Sequence, residues 1–207
     1  PLLLRAREIT FADLDIFAED IAANITTEKW PGIFKGILPE FEVSTNRLTV
    51  NQVELNAPRI MVEPSAFPIL QFSGTTCGLE GSAVFSGAFN STDKSGQINA
   101  NGRIDIFNLF PDSLVEKLPT LKFGSTPFYN LSVDFNQGFE IRDVNFHINV
   151  KDLTANELYF DNIITRGYYR EGILNFEDIH IDRKNQWVDG AYYLDTQTKD
   201  FQISLLG

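Results

Sequence analysis

The sequence predicts a mainly β protein: a long, twisted antiparallel meander that forms an open, taco-like groove and carries one short helix. Three observations predict it. Apolar and polar residues alternate with a period of two along most of the chain, as at Leu131, Val133 and Phe135, at Phe146, Ile148 and Val150, and at Phe201, Ile203 and Leu205. Polar or Gly-bearing stretches of hairpin length separate the runs, whereas a parallel crossover needs a dozen or more residues. The chain also holds 18 Phe against a single Met, and Phe, like the plentiful Ile and Val, favours strands.

Taken in order, Ile21, Ala23 and Ile25 favour a strand within Glu19 to Trp30, with a short helix as the competing choice. The hairpin connections fall at Ser44 to Arg47, Ser91 to Gly96, Asn136 to Gly138, Arg170 to Gly172, Asp182 to Gln186 and Thr196 to Lys199. Pro111 to Leu121 reads as helix: Asp112 and Ser113 are good starts, Leu114, Val115 and Leu118 make one apolar face, and Pro119 stops it. The chain is read as a single β-groove unit, 1–207, with an internal break allowed near 111–122. It opens without Met and both ends fall inside strand-like patterns, so a fragment of a longer protein is expected.

An internal repeat sharpens the shape. Apolar alternation slips by one residue at an Asp or Gln in Ile9 to Ile16, Leu48 to Leu55, Phe139 to Phe146 and Leu174 to Ile181. A regular strand would throw the second apolar pair onto the opposite face. A tight hairpin over the central pair would also account for the slip, but Ala-Asp, Asn-Gln, Arg-Asp and Glu-Asp lack the Gly that primed turns favour. A β-bulge absorbs the extra residue instead. Bulges at Asp13, Gln52, Asp143 and Asp178 are therefore expected to bend the sheet into a trough.

Charge and chemistry narrow the function classes. A net charge of −11 without any basic run argues against nucleic acid and against electrostatic attraction to an anionic membrane surface. Cys77 is alone, which excludes an internal disulfide. His147 and His180 each sit between apolar neighbours and are expected to point to solvent; both follow the same repeat position, so an approach across strands is conceivable. Two histidines fall short of the four ligands of a structural zinc. Phosphate-cradling Gly loops, nucleophile elbows and His-Glu-x-x-His are absent. No catalytic residue, metal or cofactor is expected. Asn24, Asn90 and Asn130 open glycosylation triplets of the kind chance supplies. Trp30, Trp187, Tyr168, Tyr169, Tyr192 and Tyr193 lie near strand ends, where they seal a sheet or stack on sugars.

The closing third carries a resemblance. Asp152-Leu153-Thr154-Ala155-Asn156-Glu157-Leu158-Tyr159-Phe160-Asp161-Asn162-Ile163 gives way to Gly172-Ile173-Leu174-Asn175-Phe176-Glu177-Asp178-Ile179, then to Trp187-Val188-Asp189-Gly190-Ala191-Tyr192-Tyr193-Leu194-Asp195. With Asn99 to Ile106, this is similar to the C-terminal region of the AsmA/TamB family of bacterial envelope proteins, over about Gln97 to Gly207. The resemblance implies a periplasmic β-groove, tethered to the inner membrane by a segment outside this chain, whose apolar lining conducts phospholipid toward the outer membrane. The expected partners are phospholipid or another acyl lipid, together with envelope membrane proteins. The repeat selects most of the candidate lining residues: Phe11, Leu14, Val50, Leu55, Ile141, Phe146, Phe176, Ile179 and Leu194. The rival is a structural or adhesive β-sandwich that binds a protein or glycan. An uncovered apolar face separates the first from the second.

Overall fold

In a computed structural model, residues 2–11, 16–26, 40–50, 53–63, 68–78, 81–103 and 121–207 are described, and they form one antiparallel sheet. Its strands are β1 (Leu2–Phe11), β2 (Ile16–Ile25), β3 (Phe41–Ser44), β4 (Arg47–Val50), β5 (Val53–Glu63), β6 (Ile69–Gly78), β7 (Gly81–Asn90) and β8 (Ser95–Arg103). Then come β9 (Leu121–Phe123), β10 (Phe128–Asn136), β11 (Glu140–Ala155), β12 (Leu158–Arg170), β13 (Ile173–Arg183), β14 (Gln186–Asp195) and β15 (Phe201–Leu206). The spatial order follows the chain order. Only β4 and β9 leave the path, and each extends a neighbour's line: β3 and β4 hold one register against β5, and β9 pairs β11 beyond the start of β10. The expected meander is what forms, and the strand preferred at Ile21 to Ile25 is the inner half of β2. The helix expected over Asp112 to Leu118 lies outside the described residues.

Tight turns make this topology. β11–β12, β12–β13 and β13–β14 are joined by two-residue loops, as the opposed pairs Ala155/Leu158, Arg170/Ile173 and Arg183/Gln186 require. Both loop residues have positive φ in each: Asn156 and Glu157 at 47° and 70°, Glu171 and Gly172 at 51° and 85°, Lys184 and Asn185 at 49° and 64°. That is the primed-turn geometry whose twist matches the flanking strands, and two of the three loops use no Gly.

Two copies of the repeat are bulged as expected. Asp134 opposes Asp143 while Phe135 opposes Ile141, so Arg142 is the extra residue on β11. Arg166 opposes Asp178 while Gly167 opposes Phe176, so Glu177 is the extra residue on β13. Ile141 then shares a face with Val144 and Phe146, and Leu174 and Phe176 share one with Ile179 and Ile181. Phe11 opposes Ile16 and Val50 opposes Val53, while Asp13 and Gln52 themselves lie outside the described residues. Primed turns in this chain do not require Gly, since two of them are closed by Asn-Glu and Lys-Asn.

Ser44 to Arg47 is likewise not a hairpin connection. β3 and β4 run in one line between β2 and β5, interrupted at Thr45 and Asn46. Thr45 is buried and its hydroxyl donates to the carbonyls of Glu19 and, at 2.9 Å, Arg47. Beside the interruption lie Asp20 (φ 51°) on β2 and a bulge at Ala57 (φ 45°) and Pro58 on β5. These irregularities form a line across three neighbouring strands, and such a line bends a sheet.

Candidate functional site

Directly opposed residues of an antiparallel pair lie on the same side of the sheet, so the register reads out each face. One row begins at Leu4 on β1 and continues through Ala23, Val43, Ile60, Gly74 and Phe85 to Ala100 on β8. It goes on through Leu131, Phe146, Gly167, Phe176 and Tyr192 to Ile203 on β15. Thirteen strands are crossed without one charged residue.

The parallel rows have the same character. Val62, Phe72, Gly87, Ile98, Val133 and Val144 form the next one. Rings meet along this face: Phe146 and Phe176 have centroids 5.1 Å apart in a T-shaped contact, Phe176 and Tyr192 6.0 Å, and Phe72 and Phe85 6.4 Å. Aromatic pairs of this kind are worth about 0.5–1.5 kcal/mol beyond burial.

Glycines make room for the rings. A Cβ on Gly74 would come within 2.6 Å of Phe85 Cζ, one on Gly87 within 2.8 Å of Phe72 Cζ, and one on Gly167 within 2.9 Å of Phe146 Cζ. In each case the ring belongs to the directly opposed residue, so it lies across the bare backbone of its partner strand. Phe89 opposite Gly96 and Tyr129 opposite Gly102 extend the pattern.

Nothing among the described residues covers this face. Every substantial strand–strand contact is between sheet neighbours, so no second sheet of a sandwich is laid over it. The chain exposes 13623 Å², against about 9,700 Å² expected of a compact monomer of its 23.4 kDa mass. Yet most of the large apolar side chains of the inner strands are half-buried, and Tyr129 and Phe135 are buried outright. Among the described residues, the neighbours available to shield them are those on the same face.

Six of the expected lining residues stand on this face: Leu55, Ile141, Phe146, Phe176, Ile179 and Leu194. Ile141, at a strand end, is 55% exposed. Phe11 and Val50 are placed only by their pairing with Ile16 and Val53, and Leu14 lies outside the described residues. The repeat did not select Phe72, Phe85, Phe89, Leu131 or Phe135. For Phe72 and Phe85 the signal was the Phe-x-Gly spacing of Phe72 to Gly74 and Phe85 to Gly87 on successive strands. Tyr192 is part of the lining rather than an end seal.

The opposite face is polar and carries the titratable groups. Asp143 accepts from Arg170 Nε at 2.6 Å and from Arg142 Nε at 2.9 Å, which ties the bulge residue down. The Arg170 hydrogen bond holds the Asp143 carboxyl below the usual carboxylate value. His147 is exposed, as expected, and His180 is partly exposed; β12 separates their strands, so the two do not meet. His180 instead lies between Asp189, 2.5 Å from Nδ1, and Asp182, 3.1 Å from Nε2. The hydrogen bond to Asp189 raises the His180 pKa above 6.5. Its contribution to stability is therefore complete below pH 6.5 and disappears as pH rises through the raised folded value. In an NMR titration His180 should change protonation above pH 6.5, and Asp189→Asn should lower its midpoint. An unmoved midpoint in that variant would remove Asp189 as the cause. Among the described residues no group of three or more His, Cys, Asp or Glu is placed to hold a metal.

No family model, curated protein or solved structure matches the chain.

Proposed function

We propose that this chain is a non-enzymatic lipid-handling module that contributes to phospholipid transport and to outer-membrane assembly or homeostasis. One observation carries the reading: an apolar face continuous across thirteen strands with no covering layer among the described residues. At about 4.8 Å between strands and 3.4 Å per residue, ten-residue strands give it roughly 2,000 Å². The largest apolar patch on an ordinary soluble monomer is about 300–600 Å². Acyl chains lie against the rings and branched side chains of this face while the headgroups stay in water. Each buried methylene contributes about 0.8 kcal/mol, and the absence of charge along the rows means that sliding along the face meets no desolvation barrier. The expected partners are phospholipid or another acyl lipid, with envelope membrane proteins at the points of delivery.

The test is extraction of the purified full chain followed by mass spectrometry. Phospholipid is expected to co-purify at one or more molecules per chain. A protein that stays monomeric and lipid-free, and that takes up no lipid from vesicles, would sink the reading.

A further inference from the structure

We propose that the polar face holds a second site, over β6, β7, β8 and β10, for a neutral oligosaccharide. A depression of about 440 Å³ lies there, lined by side chains that include Ser73, Val84, Ser86, Asn99, Asn101 and Asn130. That volume is within the range of small-ligand sites, roughly 300–1,000 Å³.

Two features identify the ligand chemistry. The first is charge. The chain is 22% charged with a net charge of −11, yet none of the ten lining residues is charged. The row through Ser73, Ser86, Asn99 and Ser132 runs from Met61 on β5 to Gln202 on β15 across ten opposed residues without a charge. The uncharged area is bounded along the neighbouring row, where Arg59 opposes Thr75 and His147 opposes Asn130, so charge stands at the rim of the depression and not within its lining.

The second is hydrogen-bonding capacity. Gln97 donates to Ser132 at 3.4 Å, while the amides of Asn99, Asn101 and Asn130 have no protein partner among the described residues. Each amide offers donors and an acceptor in one plane, which matches the adjacent hydroxyls of a sugar ring. Asn101 and Asn130 are directly opposed, and Val84, opposite Asn101, is 54% exposed. This places an apolar surface for the C–H side of a sugar beside two amides. The site lies on the other side of the sheet from the apolar rows, so its occupancy is independent of lipid.

The experiment is an NMR titration of the full chain with linear neutral hexasaccharides: α-linked glucose, β-linked glucose and β-linked N-acetylglucosamine. At least one is expected to give saturable shifts confined to residues around Val84, Asn99, Asn101 and Asn130. Asn99→Ala combined with Asn101→Ala should weaken that binding at least tenfold while leaving the remaining spectrum in place. No saturable shift with any of the three sugars would overturn the proposal. So would equal binding of an acidic galacturonate hexamer, or an undiminished response in the double variant. A protein partner on the same surface, with no sugar response, would also overturn it.

Discussion

Replacing Phe146 with Glu is expected to leave a folded sheet that no longer loads lipid. Phe146 is half-buried on the apolar face, packs on Phe176 at 5.1 Å and crosses Gly167. Losing the ring contact and about half of a Phe side chain's burial costs about 2–3 kcal/mol, which lowers Tm by about 4–12 °C for a chain of this size. The carboxylate reaches water because no second sheet among the described residues closes over it. An acyl chain laid across the same position would have to strip that carboxylate of water, so lipid loading should fall at least tenfold. In a closed sandwich the same change buries an unpaired charge and unfolds the protein. Thermal melts beside lipid extraction separate these outcomes.

Gly167→Val should be more damaging, although it adds no charge. The new Cβ would meet the Asn175 carbonyl oxygen at 2.0 Å and the Phe176 Cα at 2.9 Å, both backbone atoms of β13. They retreat only if the β12–β13 ladder opens where the Glu177 bulge already interrupts it. A loss of about 3 kcal/mol or more is expected, at the upper end for overpacking. Gly138→Ala is the control: nothing lies within 4 Å of its Cβ, so only its φ of 79° is strained, at about 1–2 kcal/mol. Equal denaturation midpoints for the two variants would show that the close approach of the β13 backbone at Gly167 does not constrain the sheet.

The strand register explains what was legible in the sequence. Alternation and loop length sufficed for the antiparallel meander, because a period of two has one structural meaning when loops are short. The slip in the repeat was also visible, but its cause was not. A bulge and a two-residue hairpin both consume residues at the slip, and only the pairing partner shows Arg142, beside Asp143, as the extra residue of a bulge. Gly is nonetheless no requirement for primed turns in this chain, since Asn156 and Glu157 adopt positive φ without it. The interrupted strand at Thr45 was hidden for a related reason: Ser44-Thr45-Asn46-Arg47 has the composition of a turn, yet Thr45 is buried against the Glu19 carbonyl. Lining residues such as Phe72 and Phe85 carried no repeat signature, and they became part of one face only once Gly87 and Gly74 were found opposite them.

In the proposed function lipid occupies one face of the sheet and not the other. Asn175 and Phe176 are consecutive on β13 and oppose Tyr168 and Gly167, on the polar and apolar rows respectively. A photo-crosslinking amino acid placed at 176 or at 175 therefore samples the two faces at the same depth along the strand. After irradiation in a cell that makes radiolabelled phospholipid, the protein carrying the probe at 176 should be labelled and the one at 175 should not. Equal labelling at both positions, or labelling at 175 alone, would contradict the assignment of the apolar face as the lipid path.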